Sequence, residues 1–218
     1  MTLHLKSGAI ALALAAIGGG ALATDLPSES ITSSVGFNSF FGGTLLDSAV
    51  TFISNSSYNG IARTAVYDTG SGLDFYYQFS NDISSKNGIE RFSAYDFSSV
   101  GSGTVLQVYQ TNQAFGIFST GTESSDYADR SNLGVIGFSF VPNGLSKINP
   151  GTTSFTQIIR TSARSYVPGS FGLLDGIGDN AAGFAPSAVP EPQTYLLMLA
   201  GMGVIGYIAR RRRSDQAG

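Results

Sequence analysis

The chain has 218 residues, with 12 Lys and Arg against 15 Asp and Glu, 28 Gly, 7 Pro, no Cys and a single His at position 4. A net charge of −3 leaves no basic surplus to neutralise phosphates, which excludes a nucleic-acid binder. The 11% aromatic and 12% charged content excludes a disordered chain, and the length suits one domain between terminal tails.

Residues 1–23 read as a secretory leader. Lys6 and the amino terminus form its positive region, 9–17 its apolar run and Ala21-Leu22-Ala23 a small-x-small cleavage signal, so Thr24 is the expected first mature residue. The competing reading is a buried N-terminal helix, but Gly18-Gly19-Gly20 would terminate it and no amphipathic period is present. A leader implies the secretion translocon and signal peptidase as partners. Its removal also takes away His4.

Residues 24–187 are expected to form the exported domain. It holds 13 acidic and 7 basic residues, so the mild overall charge covers a body of −6. Its periodicity is 2: Leu73, Phe75, Tyr77 and Phe79 alternate with Asp74, Tyr76 and Gln78. Further strands are expected over 49–53, 64–67, 91–97, 104–109, 115–118, 134–141 and 154–161. Turn chemistry separates them at 68–72, Asn87-Gly88, Pro142-Asn143-Gly144, Asn149-Pro150-Gly151 and Pro168-Gly169. Short strands at this spacing predict an all-β, antiparallel β-sandwich or jelly-roll-like body that is stabilised without disulfides.

A mature chain without His or Cys excludes a Ser–His–Asp triad, a Cys nucleophile and imidazole-ligated zinc or copper. Residues 65–71 resemble the Asp-Thr-Gly-Ser signature of aspartic proteases, whose chemistry needs two such loops. The one later candidate, 174–178, lacks the pattern, and a hairpin turn explains 68–72 fully. Glu90, Glu123 and several Asp leave carboxylate-dependent glycoside hydrolysis as a minor reading. Calcium is a second minor one, through Asp175, Asp179 and Asn180 or through Asp68 with Asp74. The tyrosines at 58, 67, 76, 95, 109, 127 and 166 offer candidates for a sugar-stacking platform.

The chain ends in three ordered parts: Val189-Pro190-Glu191-Pro192 within 188–194, an apolar run over 195–209, and the cluster Arg210, Arg211, Arg212 and Arg213 within 210–218. The two prolines fix φ and keep Glu191 extended for a protease groove. The apolar run as a helix spans roughly 22 Å, short for a bilayer core of about 30 Å but adequate for a marginal transmembrane helix. The arginines stop translocation and stay cytoplasmic. This tail resembles the PEP-CTERM sorting signal of Gram-negative bacteria, in which an exosortase, a membrane-embedded protease, recognises and processes the tail. An ordinary tail anchor is the alternative. The body is also similar to the middle regions of PEP-CTERM proteins, through 72–82 and through Pro150–Ser154 followed by Arg160-Thr161. The resemblance implies an exported, non-enzymatic protein, held for a time at the inner membrane. It is then expected at the cell surface or in the extracellular matrix, with exopolysaccharide and biofilm as its setting. A carbohydrate-binding module is the principal alternative.

Overall fold

The computed structural model describes residues 23–39, 42–101, 103–141, 147–187, 198–202 and 205. Val189–Pro192, Arg210–Arg213, residues 1–22 with Ala21, and the expected turn at 142–144 lie outside the described residues. Of the expected C-terminal helix, 198–202 and 205 are helical, and among the described residues no helix is long and apolar enough to cross a membrane.

The described residues form β1 (Thr24–Leu26), β2 (Ser30–Ile31), β3 (Gly36–Phe37), β4 (Thr44–Ser54), β5 (Asn59–Asp68), β6 (Leu73–Asn81), β7 (Arg91–Ala94), β8 (Leu106–Thr111), β9 (Tyr127–Arg130), β10 (Ile136–Ser139), β11 (Thr156–Arg160), β12 (Tyr166–Asp175) and β13 (Ile177–Pro186). They make two sheets. The seven-stranded sheet runs β1-β8-β11-β6-β5-β4, with β3 added parallel to β8; the six-stranded sheet runs β13-β12-β7-β10-β9-β2. Every other ladder is antiparallel, as the alternating pattern predicts.

The sheets pack face to face through an aromatic core, as expected of a sandwich. Phe75, Tyr77 and Phe79 of β6 meet Phe92 of β7, Phe138 of β10 and Phe171 of β12, all essentially inaccessible. The Tyr77 and Phe171 rings lie 5.2 Å apart, and Phe92 is wedged between Phe140 (4.7 Å) and Phe171 (4.9 Å). The Tyr77 hydroxyl stays satisfied by donating to the Phe184 carbonyl at 2.7 Å.

Three expectations need correction. Residues 115–118 hold only an isolated bridge between Phe115 and Phe118, because this segment folds over the outer face of the seven-stranded sheet. Residues 91–97 pair only as far as Ala94, after which Phe97–Val100 turns into a 3-10 helix behind Asp96 at φ 68. Pro168-Gly169 is no turn: it lies inside β12, which pairs with β13 over ten positions.

Core burial sets the stability order of single changes. Phe92→Ala removes a wholly buried ring and is expected to cost about 3–5 kcal/mol, whereas Phe52→Ala, at 79% exposure, should stay within about 0.5 kcal/mol. Urea unfolding of both variants checks it; equal losses would mean that the sheets do not meet as described.

Candidate functional site

The described residues that flank the two expected processing sites belong to the fold. Thr24 opens β1 opposite Val108, its hydroxyl accepts the Gly36 N–H at 3.0 Å, and Leu26 is wholly buried. Ala23 packs against the outer cluster of Tyr67, Tyr76 and Tyr109. At the other end β13 stops at Pro186, and the Ser187 N–H still donates to the Ser165 carbonyl at 3.0 Å.

The two aspartyl loops are not brought together. Asp68 ends β5 beside Thr44, and its carboxylate accepts the Gly70 N–H at 2.7 Å within the β5–β6 turn. Asp175 ends β12 at the opposite end of the sandwich, where it accepts from Ser57 (2.7 Å) and Lys147 (3.5 Å). The residues weighed for calcium are likewise dispersed. Asp179 accepts from Asn55 at 3.3 Å, Asn180 is exposed, and among the described residues no group of three His, Cys, Asp or Glu is placed to hold a metal ion.

What the topology does bring together is the pair of stretches that look like PEP-CTERM middle regions. Residues 72–82 form β6, and β11 lies against it with Arg160 opposite Asp74. Asp74 is 0% exposed and held by the Arg160 guanidinium through Nε (2.9 Å) and Nη2 (2.7 Å). The Tyr109 hydroxyl donates to the same carboxylate at 2.7 Å, and the guanidinium lies 5.1 Å from the Tyr109 ring centre. Ser154 ties in from the other side, donating its N–H to the Phe79 carbonyl (2.9 Å) and accepting the Phe79 N–H on its hydroxyl (3.1 Å). The Asp74 hydrogen bond raises the Arg160 pKa; burial, reinforced by the Asp74 charge, raises Tyr109 and Tyr76. The arrangement is a closed, neutralised cluster that locks β6, β8 and β11.

The other ion-paired carboxylates also meet cations, with Glu90 and Asp175 sharing one. Arg91 grips Asp129 with both terminal nitrogens (2.5 and 2.8 Å), and Lys147 bridges Glu90 and Asp175.

Of the seven tyrosines, those at 58, 67, 76 and 109 are buried, while those at 95, 127 and 166 are half-buried. Tyr95 lines a shallow trough of about 270 Å³ on the solvent face of the six-stranded sheet, with Arg91, Ser93, Gly172, Leu174 and Asn180. Asp129, Gly137, Ser93, Gly172 and Asn180 stand in register across five strands. A Cβ on Gly172 would lie 2.7 Å from the Tyr95 hydroxyl, so the missing side chain lets the phenol lie down on the sheet. Arg91 lies over Gly137 in the same way. Sequence reasoning named Tyr95 and Asn180, for different roles, but missed Ser93, Gly137 and Gly172, which only the strand register brings into one row.

Two expectations follow. Arg160→Met leaves the Asp74 carboxylate without its cation and should cost about 3 kcal/mol, the low end for a broken buried pair because Arg160 is 36% exposed. The Asp74→Leu/Arg160→Met double variant should recover more than half of that in urea unfolding; a double variant worse than the single one would contradict the account. Second, burial raises Tyr58 to about 12 and raises Tyr76, Tyr77 and Tyr109 as well. A folded pKa above the unfolded value of about 10 contributes stability below pH 10 that is lost as pH rises toward the folded value. The melting temperature should fall above about pH 10, with the tyrosinate absorbance of the buried tyrosines appearing together with unfolding. Absorbance that accounts for all ten tyrosines while the domain is still folded would refute the burial assignment.

Neither the curated proteins nor the solved structures contain a match to this chain. One protein-family comparison does match, over residues 188–213: the chain carries the PEP-CTERM protein-sorting motif, consistent with a substrate of an exosortase.

Proposed function

We propose that the protein is a non-enzymatic component of the cell surface or extracellular matrix, exported through the secretion translocon and released after processing of its tail. The match over 188–213 carries this reading, since that motif indicates export and sorting by an exosortase-type system. In the proposed sequence signal peptidase cuts before Thr24, the apolar 195–209 run holds the chain at the inner membrane, and an exosortase cuts near Pro190-Glu191-Pro192. The paired state of Asp74, Asp129, Glu90 and Asp175 supports the absence of catalysis, because each carboxylate is held by a cation rather than aimed at a substrate.

A second reading is favoured by the trough: binding of a neutral polysaccharide. Tyr95 supplies an aromatic ring, Ser93, Asn180 and the Asp179 carboxylate supply partners for sugar hydroxyls, and the Arg91–Asp129 pair adds polar atoms without net charge.

Intact-mass measurement tests the first reading. Released protein should begin near Thr24, end near the Pro-Glu-Pro and lack 195–209, and Glu191→Ala should leave an uncleaved, membrane-associated chain. Unchanged release from that variant, or a released species still carrying 195–209, would overturn it. For the second, Tyr95→Ala should lower co-sedimentation with the source strain's purified exopolysaccharide at least tenfold at an unchanged melting temperature; equal binding would remove the trough from consideration.

A further inference from the structure

Among the described residues β4 ends the seven-stranded sheet, and it is built unlike the other sheet edges. At the opposite edges β1 has 3 residues and β2 has 2, too short to template another chain. The fourth edge, β13, carries Gly178, Asp179, Gly183 and Pro186. It lies over the inner faces of β4 and β5, where Thr64 donates to the Ala182 carbonyl (3.0 Å) and the Ala182 N–H donates to Thr51 Oγ1 (3.3 Å).

By contrast β4 runs for 11 residues, and beyond its bulge between Leu45 and Asp47 the segment 48–54 contains no charge, proline or glycine. Val50 is 48% and Phe52 79% exposed on its outer face. The Asn55 N–H donates to the Tyr58 carbonyl at 3.0 Å, which fixes the sense of the ladder. The main chain of Ala49, Thr51 and Ile53 therefore faces β5, and that of Ser48, Val50, Phe52 and Ser54 faces outward. The Ser48 N–H is met by the Asp47 carboxylate at 2.8 Å. Natural edges of this length are ordinarily guarded by lysine, proline or a bulge at their centre.

We propose that this edge pairs with the same edge of a second copy of the chain, antiparallel about a two-fold axis at Thr51. That register joins the two seven-stranded sheets into one and sets Val50 of each copy beside Phe52 of the other, an aromatic against a β-branched side chain. It places Thr51 opposite Thr51, a favourable pair, and keeps Asp47 outside the ladder. An axis at Ala49 instead sets Phe52 against the bulged Leu46 and draws Asp47 into the interface. The uncharged segment also lets two bodies of charge −6 approach without opposed carboxylates at the contact.

Thr51→Cys tests the pairing, since the chain has no other cysteine and a non-hydrogen-bonded antiparallel pair lies within disulfide reach. Under oxidant the detergent-solubilised full chain and the surface-released protein should both give a cross-linked dimer. Val50→Lys added to that variant should abolish the cross-link, and alone it should halve the mass of the released protein by light scattering at an unchanged melting temperature. Absence of a cross-link in detergent, dimers that survive Val50→Lys, or capture of a different chain by a monomeric protein would overturn the pairing.

Discussion

Everything else in this domain leans on β6 being buried on both faces. Its inner side chains, Phe75, Tyr77 and Phe79, form the middle of the core between the sheets. Its outer ones, Asp74, Tyr76 and Gln78, are just as inaccessible. A strand buried on both sides must satisfy polar groups without water, and a lone carboxylate there would be prohibitive. Arg160 and Tyr109 meet Asp74 because β11 and β8 lie beside β6 in register. Gln78 is met by the segment that crosses the outer face, donating to the Ser119 carbonyl (2.7 Å) and accepting its N–H (2.9 Å). The polar positions of β6 thus specify which strands and which loop cover it, while the aromatic positions supply the driving force.

This explains which parts were legible in the chain. The clear alternation of β6 is marked by residue type alone, since Leu73, Phe75, Tyr77 and Phe79 fall on one face. The turns at 68–72 and at Asn149-Pro150-Gly151 are marked by residues that tolerate their dihedrals; Gly70 and Gly151 both take positive φ. The β12–β13 hairpin was opaque. Its Gly, Ala and Pro content resembles loop chemistry, and it is a strand pair only because Gly172 must admit the Tyr95 phenol and Gly169 must admit Ala185. Short β1, β2, β3 and β9 carry too few residues for any period to show.

The ion pair of Asp74 and Arg160 shows the same division. Each residue was visible, one as the polar side of a strand and the other at the end of the strand expected over 154–161. Their 86-residue separation hides the partnership until the topology places β11 against β6. Local pattern encodes faces and turns; strand order, which creates the charged cluster and the polar trough, is encoded by which faces complement one another. The sorting tail is the opposite case, since its parts act in sequence along the chain and need no fold to be read.

A processing protease binds its substrate as an extended strand with both sides of the cut accessible. In the proposed route the cut before Thr24 precedes the docking of β1, because Thr24 pairs with Val108 and Leu26 is wholly buried in the finished domain. At the back, three residues, 187–189, separate Pro186 from Pro190, and Ser187 is still hydrogen-bonded to Ser165. In the proposed route the body can fold before the second cut, because the Pro-Glu-Pro begins beyond the last ladder. The folded sandwich then stands within about 10 Å of the recognition segment. Its end, formed by the turn after β5, the start of β12 and the 3-10 helix, becomes the wall against which the processing enzyme works. A chain without cysteine can accept that order, since burial around β6 completes the domain with no oxidation step to wait for.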